Sequence, residues 1–202
     1  MTDASVAVPP HAATIGPGRL ILVVGPSGAG KDTLLALAKA GCADDRNILF
    51  PRRLITREAS ASEDNEQVSA DVFQRAVAAG DYAMHWEAHG HSYALPRAID
   101  DDIRAGRTVI ANVSRTVIAA ARRDYANVIV VSITAPPDVL AARLAARARA
   151  SDGQLTQRLA RTVDESTAMP DFTIVNSGSA GYHARQLARI IKGERWDPGS
   201  EG

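Results

Sequence analysis

The sequence is poorest in cysteine and lysine. One cysteine, Cys42, among 202 residues excludes an internal disulfide and a thiolate metal site. Only Lys31, Lys39 and Lys192 are lysines, although Lys and Arg together number 23, so twenty of the basic side chains are arginine. An excess of charge of one sign is missing too: 23 acidic residues bring the formal net charge to zero. No global field therefore selects nucleic acid or an anionic bilayer as partner. Long apolar runs are absent; Leu20–Val24 falls far short of the roughly 20 residues that span a membrane. Residues 1–18 carry no basic stretch followed by an apolar one, so they do not read as a secretory signal. No internal repeat is visible. These absences predict a cytoplasmic domain over residues 19–192, with flexible Ala/Pro/Gly-rich tails at 1–18 and 193–202.

What is there has a globular balance, 46% hydrophobic and 23% charged, in a length that suits one buried core. Short apolar runs alternate with stretches of helical period, the pattern of an α/β fold. Strands are expected at Arg19–Val24, Asn47–Thr56 (interrupted by Pro51), Thr108–Asn112, Val128–Ile133 and Phe172–Val175. Helices are expected at Lys31–Ala40, from Ser69 or Asp71 to Ala79, and at Arg97–Ala105, Ser114–Asp124, Val139–Ala148, Gln154–Thr167 and His183–Ile191. Glu58–Glu66 reads as a loop, and Tyr82–Ala88 with His91–Leu95 as a hairpin about His89-Gly90. An insertion over about 58–95 thus interrupts a five-stranded βα series.

Between the first strand and the first helix stands Gly25-Pro26-Ser27-Gly28-Ala29-Gly30-Lys31. Glycines let successive backbone N–H groups converge on a phosphate, the helix N-terminus adds its positive end, and Lys31 supplies a point charge for the outer phosphates. The usual pattern continues with Ser or Thr, whose hydroxyl binds Mg²⁺; here Asp32 and Thr33 follow. Two readings stand side by side. Thr33 faces the β-phosphate while Asp32 holds a metal-bound water, or Asp32 is an N-terminal acid favoured by the helix dipole. No apolar strand ends in the aspartate of a second metal motif, since Thr108–Ala111 runs into Asn112. Mg²⁺ is then held mainly by phosphates and water.

The arginines fall where a second phosphorylated molecule needs clamps. Arg57 and Arg115 each follow a strand at the edge where open α/β sheets bind ligands. Arg143, Arg147, Arg149, Arg158 and Arg161 flank a polar break at Ala150–Gly153, which suits a lid over about 147–158. Genome composition and solvated helix faces account for much of the remaining excess. Other features read more plainly. His85, His89 and His91 lack a cysteine or carboxylate to complete a metal set. Cys42 is a buried small residue or a helix-end thiol, and Trp86 and Tyr93 either pack in the core or stack on a base or sugar.

These residues resemble the guanylate kinases. The phosphate loop, Ile55-Thr56-Arg57, the hairpin Trp86-Glu87-Ala88-His89-Gly90-His91-Ser92-Tyr93, the lid residues Arg143-Leu144, Arg147 and Arg158-Leu159, and Ile174-Val175-Asn176 all have counterparts there. The sequence is more similar still to a sister family, the ribose 1,5-bisphosphate phosphokinases of phosphonate degradation. Gly30-Lys31-Asp32-Thr33, Thr56-Arg57-Glu58-Ala59-Ser60-Ala61 and Asn112-Val113-Ser114-Arg115 follow that family's pattern. Ser60 replaces the second acceptor-loop arginine of guanylate kinases, their Asp-Tyr pair is missing, and Asn112 replaces their strand-end aspartate; Glu63 remains where their base-reading glutamate aligns. Tyr93-Ala94 departs from the sister family's Tyr-Gly.

The resemblance implies a three-layer P-loop fold with strand order 2-3-1-4-5 and transfer of the ATP γ-phosphoryl to ribose 1,5-bisphosphate. It assigns Gly25 to Thr33, with Lys31, to ATP and Mg²⁺, Arg57 and Arg115 to the acceptor, and Arg147, Arg149 and Arg158 to the lid. Asn112 and Ser114 are placed to meet ribose hydroxyls. The expected partner is a small phosphorylated sugar; neither nucleic acid nor membrane is expected, and a homodimer is left open. A guanylate kinase is the alternative, and an inactive guanylate-kinase-like interaction module a third reading, against which the intact loop and Lys31 speak.

Overall fold

Arg19–Val24 (β1) carries five consecutive apolar residues, and all five are buried. A strand apolar on both faces must lie inside a sheet covered on both sides. In a computed structural model, which describes residues 14–57, 65–88, 90–148 and 169–194 (the side chains of 147 and 148 left aside), β1 is the centre of such a sheet. Its neighbours are Thr108–Asn112 (β7) and Val128–Thr134 (β8), flanked by Ile48–Leu49 (β2) and Phe172–Val175 (β9), all parallel. The order β2-β7-β1-β8-β9 is the expected 2-3-1-4-5.

The period of two along β1 sorts the two outer layers. Ile21 and Val23 face Lys31–Gly41 (α1) and Ala180–Lys192 (α6), with Leu34, Ala38, Leu187 and Ile191 filling the space between. Leu20, Leu22 and Val24 face the other side, where Ile99 and Ile103 of Ala98–Arg104 (α3) and Ile118 and Ala121 of Ile118–Asp124 (α4) meet them. Each fully buried branched aliphatic here contributes about 1.5–3 kcal/mol of transfer free energy. Cys42 belongs to the α1 side and is buried, and burial raises its thiol pKa. On the α4 side the Tyr125 hydroxyl donates to Asp100 Oδ1 at 2.6 Å; burial, then the carboxylate, raise the phenol pKa well above its ordinary value.

The expected insertion is a second sheet. Arg53–Ile55 (β3) pairs parallel with Asn65–Gln67 (β4) and antiparallel with His91–Pro96 (β6), which pairs with Tyr82–Ala88 (β5), giving the order β4-β3-β6-β5. Ala70–Ala79 (α2) starts at Ser69, whose side chain accepts from the Val72 N–H, and stops at left-handed Gly80. It packs Phe73 against Tyr82 and Ala94. The hairpin's Met84, Trp86, Tyr93 and Leu95 join the α3/α4 core, which fixes the second sheet over the first.

Several boundaries differ from those read in the sequence. The strand expected over Asn47–Thr56 is two strands in two sheets, because Pro51 between them lacks the N–H a continuing ladder needs. Asn65 and Glu66, at the end of the loop expected over Glu58–Glu66, belong instead to β4, a polar segment that pairs because β3 offers an open edge. Pro137 opens the next helix, Pro137–Ala148 (α5), rather than preceding it; at the first helical position its missing N–H costs nothing. A 3₁₀ turn, Arg115–Val117, precedes α4. Ile15 bridges to Tyr125, so packing begins before Arg19. The Gln154–Thr167 helix lies outside the described residues.

Candidate active site

The phosphate loop leaves β1 at Gly25, whose φ of 145° and close approach to the Ile133 carbonyl exclude any side chain: an added Cβ would stand 1.9 Å from that oxygen. The loop ends at Gly30, left-handed (φ 87°) and serving as the α1 N-cap without a side-chain bond. No side chain competes there for the first helical N–H groups, which suits an anion. The Lys31 ammonium donates to the Gly25 and Pro26 carbonyls at 2.8 and 2.9 Å, so it lies back over the loop.

Two side chains brace this loop from the β8–β9 side. Asn176, 3% exposed at the end of β9, donates from Nδ2 to the Ala29 carbonyl at 2.8 Å. A Cβ on Gly30 would fall 2.4 Å from that Nδ2, so glycine is required for the contact. Asn176 Oδ1 is buried without a hydrogen-bond partner among the described residues, a cost of about 1–3 kcal/mol. Arg143 of α5 donates to the Gly28, Ala29 and Asn176 carbonyls at 3.3, 3.5 and 3.3 Å.

The opposite wall is the second sheet. Asp32, in the first turn of α1, accepts from Asn112 Nδ2 at 2.8 Å. The Arg53 guanidinium donates to the Asn112 carbonyl and to Asn65 Oδ1, both at 3.1 Å, and stands 4.0 Å from Asp32. It also lies 6.0 Å from the Tyr93 ring centre, and Tyr93 stacks on Trp86 at 5.6 Å and 7°. Thr56 is tied to β6 through Ser92 in both directions, its N–H donating at 3.1 Å and its hydroxyl accepting at 3.0 Å. Arg57 is the next residue. A cradle for polyphosphate thus faces a wall bearing arginines.

No protein-family model matches the chain. Ribose 1,5-bisphosphate phosphokinase PhnN of Bradyrhizobium diazoefficiens is 63% identical over 196 residues, covering 97% of this chain and 99% of that protein. The protein of the same name from Rhodopseudomonas palustris is 63% identical over 198 residues, 98% of this chain and all of that one. The chain belongs to the ribose 1,5-bisphosphate phosphokinase family. The PhnN of Brucella abortus, 43% identical over 180 residues, covers 85% of this chain and 94% of its own. Among solved structures, guanylate kinase from Anaplasma phagocytophilum superposes with a TM-score of 0.63 at 21% identity, covering 91% of this chain and 89% of that one. That likeness is one of fold, and with the five-stranded parallel sheet it is the expected P-loop kinase architecture.

In this ribose 1,5-bisphosphate phosphokinase homologue the structure brings Gly25–Thr33, Asn112 and Asn176 together. Arg115 sits in the 3₁₀ turn just beyond β7, half-buried, its carbonyl accepting from the Ile118 N–H and its side chain making no hydrogen bond or ion pair among the described residues. Thr33 is exposed, whereas Asp32 points at Asn112. The side chain of Arg147, and Arg149 and Arg158 entirely, lie outside the described residues, as do Glu58–Asp64 and His89. His85 is exposed on β5, and no group of three His, Cys, Asp or Glu side chains close enough to hold a metal occurs among the described residues. A carboxylate at the loop and no preformed cage suit Mg²⁺ carried in by phosphates and water. Sequence reasoning missed Arg53. Its only signal was a charged residue at the head of an otherwise apolar strand.

No described helix is long and apolar enough to cross a membrane.

Proposed function

We propose that this chain transfers the γ-phosphoryl of ATP to the 1-phosphate of ribose 1,5-bisphosphate, giving 5-phosphoribosyl 1-diphosphate and ADP in the cytoplasm, as a step of phosphonate breakdown. An oxygen of the acceptor phosphate attacks the γ-phosphorus, the bond to the β–γ bridging oxygen breaks, and ADP leaves with that electron pair. The acceptor phosphate is already ionised near neutral pH (second pKa about 6), so no general base is required. That agrees with a site rich in cations and amides and without a base-activated nucleophile among the described residues.

The loop amides and Lys31 bind the ATP phosphates, while Arg143 and Asn176 keep the loop in its receiving shape. Arg57 and Arg115 grip the acceptor phosphates, and Arg147, Arg149 and Arg158 close over the donor. Asp32 and Thr33 are the residues beside which Mg²⁺ is held; when bound it neutralises charge on the phosphates. Asn112 and Ser114 face the ribose hydroxyls.

The observation that carries this reading is 63% identity over nearly the whole chain to proteins named for that reaction. A coupled ADP-release assay with ribose 1,5-bisphosphate and with GMP tests it. Turnover of the bisphosphate well above that of GMP is expected. The reverse order would make the chain a guanylate kinase, and no turnover of either would leave the inactive module. Light scattering on the same sample distinguishes monomer from homodimer.

A further inference from the structure

Arg53 is 15% exposed at its side chain, and its guanidinium reaches three separate parts of the site. Its Nε is committed to Asn65 Oδ1, on a residue only 5% exposed, and one terminal nitrogen to the Asn112 carbonyl. The other terminal nitrogen is 4.0 Å from Asp32 Oδ1, the oxygen that also accepts from Asn112. Asp32 places a negative charge in the first helical turn of the cradle, where the common motif has a neutral hydroxyl. Left alone, that carboxylate would repel the polyphosphate the loop amides attract.

We infer that Arg53 is a positioning residue that holds Asp32 and Asn112 in place and offsets the Asp32 charge, so that the loop can take a nucleoside triphosphate. It acts through those two residues and does not touch the transferred phosphoryl group. Its planar fork matters as well as its charge. A lysine can supply the cation but cannot bond Asn65 Oδ1 and the Asn112 carbonyl with the same fixed geometry. The pair also joins the two sheets at the point where donor and acceptor must meet, and misplacement by about 1 Å can cost about 100-fold in rate. This inference rests on the phosphotransferase reading for its nucleotide.

The test is calorimetric titration of the full chain with a non-hydrolysable ATP analogue in EDTA, without Mg²⁺, so that the metal-side role of Asp32 does not enter the readout, with the melting temperature measured alongside. Arg53→Met is expected to weaken binding about tenfold, a charge effect of ordinary size for a half-buried pair. Adding Asp32→Asn, which keeps an acceptor for Asn112 but removes the charge, is expected to restore affinity to within about threefold of the unaltered chain. A merely structural role for Arg53 would lower the melting temperature of single and double variants alike and give no such rescue. Arg53→Lys keeps the charge: its affinity is expected to stay within about twofold while kcat falls about tenfold. Should Arg53→Met fail to fold, that variant decides. Unchanged binding by Arg53→Met, no rescue in the double variant, or a tenfold affinity loss in Arg53→Lys each overturns the inference. Failure of the unaltered chain to bind the analogue overturns the phosphotransferase reading too, so the two failures are told apart.

Discussion

The five-stranded parallel sheet and the four-stranded mixed sheet contribute to the site in different currencies. On the parallel sheet the working surface is backbone: a glycine loop between β1 and α1, braced by Asn176 and Arg143 through carbonyl oxygens. On the mixed sheet it is side chain: Arg53, Tyr93, Trp86 and the arginine after Thr56, held by pairs such as Arg53–Asn65 and Thr56–Ser92. A backbone cradle recognises phosphate in general. A surface of side chains can be altered one residue at a time. The difference teaches that substitutions on the first sheet should be nearly all-or-none, and those on the second graded and substrate-selective.

Lys31→Ala is the strongest attempt to break that contrast. It should lower kcat about 1,000-fold while the far-ultraviolet circular dichroism stays native, because in the proposed reaction it removes the charge that binds the outer phosphates. Retained activity would take Lys31 out of the chemistry. Next comes Gly25→Ala, which combines a φ of 145° with a Cβ 1.9 Å from the Ile133 oxygen. Chemical denaturation should show a loss of more than about 3 kcal/mol, together with lost nucleotide binding. A loss below 1 kcal/mol in that measurement would mean the loop is softer than its geometry implies.

Arg115→Ala sharpens the comparison from the acceptor side. The apparent KM for ribose 1,5-bisphosphate should rise about tenfold with the ATP KM unchanged, the pattern of a lost charge-assisted contact. Equal changes in both would move Arg115 to the donor. The smallest effect belongs to Tyr125→Phe, outside both working surfaces. It should cost about 1–2 kcal/mol by leaving Asp100 one partner short, with kinetic constants unaltered. Because the Tyr125 pKa is raised in the folded state, its contribution is fully present below the ordinary phenol value near 10 and declines only above it. Between pH 6 and 8 the stability difference between Tyr125→Phe and the unaltered chain should therefore be flat by thermal melting.

The same contrast explains what could be read in advance. β1, β7 and β8 are short, largely apolar runs, with the burial of β1 on both faces written in consecutive residues, and the loop is a contiguous motif. The placing of Gly25–Thr33 between strand and helix followed directly; the order of the strands came only with the resemblance to the kinase family. On the mixed sheet, Asn65-Glu66-Gln67 has no apolar period, and becomes a strand only because β3 lies beside it. Arg53 looked like an ordinary charge because its partners, Asn112 and Asp32, are distant in sequence and meet it only after the two sheets dock. Arg143 read as one of several arginines around a polar break; that it reaches the carbonyls of Gly28 and Asn176, far off in sequence, is a contact no local pattern encodes.

Ile48 and Thr108 stand side by side where β2 pairs with β7. The chain that departs after Leu49 and returns at Arg107, carrying both β3–β6 and α2–α3, therefore leaves and re-enters the parallel sheet at one doorway. An excursion with adjoining ends can be lengthened, trimmed or exchanged in the course of descent without rethreading the strands that hold the phosphate loop. The mixed sheet is in that sense a cassette, which can change while the phosphate loop keeps its place.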